Sequence, residues 1–408
     1  MIDSRICTVM VHWMLAAASL SIFGVRPTAA QSPSAAEIDR WIGDLGDDSY
    51  TVRHMAADRL ATGGSTARAA LAKVADGPDP EIRSAARRLV TVIDDVEFNR
   101  RLADFAADVN GSRGVTLPGW REFGELVGRD AAARALFIDM QREESALLER
   151  IFAAPRGAGE LADVPWEDQV ARLIRARIFS RPGEFTAPLG SCATMLFLGA
   201  LPDANLSDGG ANTLVQLTQL PPLSESLAAN RPESAVRRLV SAWIVHCPNR
   251  NASVLEQRLA IMLQQQLAEA LPLAREIVAH DPKYLTLGPS QQVMAILAVG
   301  KFGSTADVAA LEPRLDDHTQ FAPQPSANLP LGNSYSVQVR DVALATMLHL
   351  TDQEPLAYGF LQVRPHPQTV FESTSLGLEN DARRAAAAEQ WRAWRAQHKL
   401  QSPRAASS

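Results

Sequence analysis

The chain has 408 residues, 46% hydrophobic and 21% charged, an ordinary globular balance that excludes wholesale disorder. Aromatic residues make up only 6%, so the chain packs through many small contacts rather than a few large anchors. The formal net charge of −6 argues against a nucleic-acid backbone as main partner, and the length fits two or three domains or one extended repeat array.

In chain order, Arg5 precedes an apolar run over 6–25, broken by Thr8, His12, Ser19, Ser21 and Gly24. Arg26-Pro27 and then Thr28-Ala29-Ala30 follow, and the small residues at Thr28 and Ala30 fit a cleavage site. The pattern predicts a signal peptide over 1–30 and a periplasmic or secreted mature chain. The alternative is an uncleaved anchor, since the run is long enough to span a bilayer; membrane contact is expected only in that case. Cys7 lies before the apolar core, not at its exit, so it is not a lipoprotein acceptor.

From Gln31 onward apolar residues recur at helical spacing and strand-like alternation is almost absent. Over 48–60, Tyr50, Val52, Met55, Ala56 and Leu60 fall near one face, Asp48 or Ser49 caps the start, and Gly63-Gly64 ends the helix. Over 79–93 the design repeats. Asp79 caps, Pro80 takes the first turn, and Ile82, Ala85, Ala86, Leu89 and Ile93 form the face. Val52-Arg53 and Ile82-Arg83 are 30 residues apart, with a short helix over 68–75 and the turn Asp76-Gly77-Pro78 between them. Looser copies follow at Ser234-Ala235-Val236-Arg237 and Val339-Arg340-Asp341-Val342-Ala343.

This pattern of Asp, then Val or Ile followed by Arg, then Ala one turn later, resembles the second helix of a HEAT repeat. The resemblance implies an all-α fold, an α-solenoid of HEAT-like helical hairpins with irregular inserts and a C-terminal capping helix. One such hairpin cannot bury its apolar face, whereas stacked copies bury a continuous core. Arg53, Arg83 and Arg340 are then structural, each within reach of an aspartate of its own or the neighbouring turn. The stretch from Val339 through Tyr358-Gly359-Phe360 to Trp391-Arg392-Ala393-Trp394 looks like the tail of exported bacterial HEAT-repeat proteins with no assigned activity.

The expected organisation is HEAT-like repeats over 31–109, a helical pair over 110–155, and divergent helical repeats over 156–315. An irregular loop over 316–336, a C-terminal helical region over 337–400 and a disordered tail over 401–408 complete it. Within these, helices are expected at 79–93, 96–109, 118–128, 130–152, 165–179, 188–198, 210–217, 232–245, 253–268, 271–278, 290–299, 305–315, 337–350 and 380–397. A linker falls at 155–159. The last helix is expected to fold back as a cap anchored by Trp391 and Trp394, which are three residues apart and share a face. The competing view takes the same tryptophans as an exposed patch for a partner or anionic lipid.

Candidate chemistry is sparse. No H-E-x-x-H, G-x-S-x-G, Walker loop or G-x-G-x-x-G occurs. His280-Asp281 and Asp317-His318 are adjacent pairs that suit a metal or general-base site, and convergence of two among His280, Asp317, His318 and His349 is what such a site requires. Asp203-x-Asn205-x-Ser207-Asp208-Gly209 departs from a calcium loop, with Asp208 at the place of the invariant glycine, and reads as a turn and helix cap. Export places Cys192 and Cys247 where disulfides form, so they are a candidate pair; the rival reading is two buried free thiols. Of the 40 basic residues only Lys73, Lys283, Lys301 and Lys399 are lysines, and the dispersion of the arginines along the chain favours a compositional bias over anion-binding forks. No catalytic residue, metal or cofactor is assigned. The expected function is an exported scaffold that binds a protein or peptide partner. The rival is an enzyme or ligand-binding protein with a site near 316–336.

Overall fold

The computed structural model describes residues 33–152, 188–221, 223–229, 231–281, 284, 286–321 and 335–398. The leader at 1–30, the linker at 155–159, the helix expected at 165–179, most of the 316–336 loop and the 401–408 tail lie outside the described residues. Those described are mostly helical, with two two-stranded ribbons as the only sheets among them. The chain divides into two compact units, at Asn99 and Arg100.

The first unit holds α1 (Ala35–Asp44), α2 (Tyr50–Thr62), α3 (Gly64–Val74) and the N-terminal part of α4 (Pro80–Ala107). Ser34 opens α1 with a reciprocal cap: Glu37 N–H donates to the Ser34 hydroxyl and Ser34 N–H donates to the Glu37 carboxylate. Gly64, at φ +60°, turns α2 into α3 with almost no loop, a backbone conformation that glycine adopts without strain. Asp79 accepts from the backbone N–H of Glu81 and Ile82 and starts α4, with Pro80 in the first turn. The core is aliphatic: Ile38, Ile42, Leu45, Ala56, Leu60, Leu71, Ala86, Leu89 and Ile93, with Trp41 only partly buried against it.

Two expectations change here. Tyr50 and Met55 do not join the core face of α2; they are 72% and 46% exposed, while Ala56 and Leu60 are buried. At 3.6 residues per turn Tyr50 stands about 120° from Ala56, off the buried stripe. The helices expected at 79–93 and 96–109 are one helix, α4. Asp94-Asp95 contains neither proline nor glycine, and Asp94 is held by an ion pair with Arg68, so nothing stops the helix there.

The second unit begins with the C-terminal part of α4. It continues through α5 (Trp120–Leu126), α6 (Ala131–Phe152), α7 (Leu189–Gly199), α8 (Asp208–Leu217), α9 (Leu223–Ala228), α10 (Ala235–His246) and α11 (Ala252–Gln264). Then come α12 (Leu271–Val278), α13 (Pro289–Phe302), the single turn α14 (Val308–Leu311), α15 (Val339–Leu350) and α16 (Asp381–Gln397). Packing follows sequence order: α6 on α7, α7 on α8 and α10, α10 on α11 and α12, α11 and α12 on α13, and α13 on α15. Residues 190–199 of α7 are all buried, as expected of a helix apolar all round. At Gly190 a Cβ would stand 2.2 Å from the Asp139 carbonyl, so glycine alone lets α7 approach α6 this closely. Opposite it α6 kinks at Glu144, whose carboxylate accepts from the Ser191 hydroxyl at 2.8 Å. Aromatic residues concentrate nearby, with Phe105, Trp120, Phe123, Phe137 and Phe197 in edge or tilted contact.

The helix expected over 253–268 stops at Gln264. The chain turns through Gln266 at φ +54° and resumes as a 3-10 turn at Ala268–Ala270. Arg237 donates to the Gln265 and Gln266 carbonyls and so completes that end. The segment over 305–315 is a broken rod, α14 flanked by 3-10 turns at Thr305–Asp307 and Glu312–Asp316, where Pro313 withholds a backbone N–H. The helices α1 and α9 were not expected. The ribbons are β1 (Gln320–Phe321) against β2 (Val337–Gln338) and β3 (Pro365–His366) against β4 (Val370–Phe371), both antiparallel.

Candidate functional site

Among the described residues three concave places carry polar side chains, one in the first unit and two in the second; one of the latter, of about 340 Å³, is lined by Thr116 and by Arg121 and Glu122, which pair with one another at 3.0 Å. In the first unit a groove of about 510 Å³ lies between the first turns of α2 and of α4. Ser49 starts α2 in an extended conformation and so places Tyr50 at the mouth of the groove, where its ring stacks on His54 at 5.8 Å. On α4, Glu81, Ser84 and Arg88 follow at spacings of three and four and share one face. Leu45, Ala57 and Ala85 supply the apolar lining.

Arg53 and Arg83 make the same bond. Arg53 Nη1 donates to the Asp47 carbonyl at 2.6 Å, and Arg83 Nη1 donates to the Gly77 carbonyl at 2.9 Å, each six residues earlier. Their partners are backbone carbonyls of the preceding turn, not the aspartate carboxylates the sequence suggested. The carboxylate pairs of this unit are formed by other arginines, Arg68 with Asp94 and Arg87 with Asp76. In the groove, Arg53 also donates to the Asp48 carbonyl, and among the described residues Arg88 bonds only the Ser84 hydroxyl, at 3.4 Å.

In the second unit a cleft of about 200 Å³ lies beside Arg340, Arg384 and His318, floored by Leu315, Leu344 and Leu378. Its charges are already matched. Buried Arg384 holds Asp341 through Nε at 2.9 and 3.1 Å, and donates to the Asp381 carboxylate and the Ser336 and Leu378 carbonyls. Arg340 donates to Gln338 and Asp381 and stands 3.3 Å from His318 Nε2. Burial pushes the Asp341 carboxyl above the usual carboxylate range, against the pull of Arg384. These bonds, with Arg395 to Glu312 and Arg392 to Asp316, fasten α16 to the preceding elements. Trp391 is buried. Trp394 is half-buried and stacks between Trp391 and His398, at 5.3 and 4.3 Å.

An enzymatic site required two of the four residues in one cleft; His318 alone of them lines this cleft, while Asp317 lies near enough to His280 to act on its pKa. His349 packs edge-on against Phe371. Asp317 sits opposite Arg314 at 3.8 Å, and His280, at φ +57°, follows the end of α12, where burial lowers its pKa. Among the described residues no group of three His, Cys, Asp or Glu side chains is placed to hold a metal. Asp208 opens α8 after the Ser207 cap, and its carboxylate accepts the side-chain amides of Asn249 and Asn251.

Cys192 and Cys247 do not pair; both are buried free thiols. Cys192 lies inside the enclosed helix α7, where burial pushes its pKa up to about 12, so it acts as a small hydrophobe. Among the described residues no helix is long and apolar enough to cross a membrane. No protein-family model matches the chain, and no curated protein or solved structure matches it. The groove residues Tyr50, Ser84 and Arg88 were not singled out from the sequence as a site. The usable signal was an aromatic residue at a helix start, off the buried stripe, 30 residues before a helix that presents Ser84 and Arg88.

Proposed function

We propose that this chain is an exported, HEAT-like helical scaffold that binds a protein or peptide segment in the groove of its first unit. The observation that carries the reading is the groove itself: an apolar floor, an exposed tyrosine at its mouth, and guanidinium groups not taken up by carboxylates. Support for the repeat comes from the matched bonds of Arg53 and Arg83 and from Ala56 and Ala86, 30 residues apart and both buried. The rival site, beside His318 in the second unit, has its arginines and aspartates engaged with one another, so we place function in the groove.

The test is site-specific photo-crosslinking in the full chain, in native envelope extracts. A photoreactive residue at Ser84 is expected to give discrete protein or peptide adducts, and one at the exposed, groove-remote Val96 is not. Equal labelling at both positions, or none at Ser84, overturns the reading. For localisation, the expected outcome is a mature N-terminus at Gln31 in the periplasmic or secreted fraction; a full-length chain in the membrane fraction supports the anchor instead.

A further inference from the structure

We infer that the groove takes an acidic peptide segment with an apolar side chain beside its carboxylates. This rests on the scaffold reading and names the chemistry of its partner. Elsewhere in the first unit Arg40, Arg68 and Arg87 each face a carboxylate, Asp44, Asp94 and Asp76, while Arg83 is taken up by the Gly77 carbonyl and Arg59 lies over the Trp41 ring. The two guanidinium groups that line the groove face no carboxylate among the described residues. Arg53 is held by carbonyl oxygens, which fix its position without cancelling its charge, and Arg88 has only the long contact to Ser84. Guanidinium groups bind carboxylates through paired, charge-assisted hydrogen bonds, so two of them at one groove select for acidic side chains.

The same groove carries one carboxylate, Glu81, and His54 is engaged with Asp58 at 3.7 Å. Glu81 lies seven residues before Arg88, about 10 Å along the helix axis. Along α4 the groove therefore carries Arg88 at one end and Glu81 at the other, where the positive helix N-terminus offsets part of the Glu81 charge. A ligand lies with its carboxylates toward Arg88, and a chain acidic throughout is disfavoured by Glu81. Leu45, Ala57, Ala85 and the face of Tyr50 add an apolar subsite. Tyr50 is 72% exposed, a large contact surface for a docked apolar side chain. A polyanion such as nucleic acid or an anionic membrane would need a wider basic surface than two arginines within a chain of net charge −6.

The experiment selects a phage-displayed random heptapeptide library on the immobilised full chain, then measures synthetic, fluorescein-labelled winners by anisotropy. The proteins compared are the parent, Arg88→Glu, Tyr50→Ala and Glu81→Lys, all changed at exposed side chains and checked for parental helicity. Phosphatidylglycerol–phosphatidylcholine vesicles and a single-stranded oligonucleotide serve as competing probes. The expected winners carry Asp or Glu beside Leu, Ile or Phe. Arg88→Glu weakens them about tenfold or more, Tyr50→Ala weakens them several-fold, and Glu81→Lys strengthens them. Basic or neutral winners overturn the inference, as does vesicle or oligonucleotide binding that Arg88→Glu abolishes without peptide selection. Acidic winners that bind Arg88→Glu like the parent place the peptide elsewhere, overturning the groove assignment while the scaffold reading stands. No winners at all overturns both.

Discussion

In the first unit Arg87 reaches the Ala75 carbonyl at the end of α3 from a side chain 60% exposed to water. In the second unit Arg258 does the same task from the interior. It is fully buried and donates through Nε and Nη2 to the Ile244 carbonyl at the end of α10, and through Nη1 to the Asn249 carbonyl. Arg314 treats the end of α12 likewise, through the Ile277 and Val278 carbonyls, and Arg134 bonds the Phe105 carbonyl of α4. A helix leaves its last carbonyls unsatisfied and slightly negative, and a guanidinium answers both needs at once. The device is shared by the two units, but its weight differs. Near the surface water can replace the arginine. In the interior nothing replaces it, and a carbonyl left bare pays its full desolvation.

The largest expected effect tests whether the second unit depends on its buried anchors. Trp391→Ala should lose about 3–5 kcal/mol, and Trp394→Ala, half-buried, distinctly less, in urea unfolding followed by far-UV circular dichroism. Equal losses would mean that the stacked pair acts as one anchor. Neither variant melting below the parent would mean that α16 is not held by Trp391.

Next is the arginine contrast itself. Arg258→Met removes three donated bonds and leaves the Ile244 and Asn249 carbonyls without these partners, so a loss of about 2–4 kcal/mol is expected. Arg87→Met, exposed, should lose less than about 1 kcal/mol. If the two variants unfold at the same urea concentration, burial does not set the worth of this cap.

The sequence carried much of the helical fold and little of this device. Most helix positions follow from apolar spacing, from the cap at Asp79 and from breakers such as Gly63-Gly64. The arginines, by contrast, read as compositional bias because their partners are carbonyls from 9 to 37 residues away, which every residue possesses and no pattern marks. The continuity of α4 was missed because two adjacent aspartates resemble a boundary when the ion pair from Arg68 is not visible. The groove escaped because Tyr50 was placed on the face of Ala56 and Leu60, from which it is turned away. The repeat spacing alone did place Arg53 and Arg83 at matching positions, since both lie one turn into their helices.

A smaller effect concerns acid. Partial desolvation lowers the pKa of His246 at the end of α10, although the residue as a whole is exposed, and the backbone N–H groups of Arg113 and Val115 hold the Asp108 carboxyl below its usual range. Both folded-state values lie below the unfolded ones, so each contributes stability that is present above the unfolded pKa and lost as pH falls. His246 therefore acts below about pH 6.5 and Asp108 below about pH 4. The urea midpoint should fall in two stages on acidification. His280 shares the first stage and Asp130 the second, so His246→Gln should shrink the first and Asp108→Asn the second without abolishing either; a parent midpoint that is flat from pH 8 to pH 5 would show that neither histidine is desolvated enough to matter.

The smallest expected effect bears on the repeat. Arg53 and Arg83 bond carbonyls six residues upstream, in the turn that precedes their own helix, and neither makes an ion pair that would add a second, unequal contribution. Arg53→Gln and Arg83→Gln should therefore each lose roughly 0.5–1.5 kcal/mol, the net worth of an ordinary hydrogen bond. The two losses should be similar, because each arginine bonds the carbonyl six residues upstream, with Arg53 equal or slightly larger. Arg53 also bonds the Asp48 carbonyl, which places any difference on its side. The two sites are 30 residues apart in sequence and share no hydrogen-bond partner, so the double variant should lose about the sum. A loss confined to Arg83, or a double variant much worse than the sum, would mean that the 30-residue spacing is a coincidence of sequence and that the two turns are held by different forces.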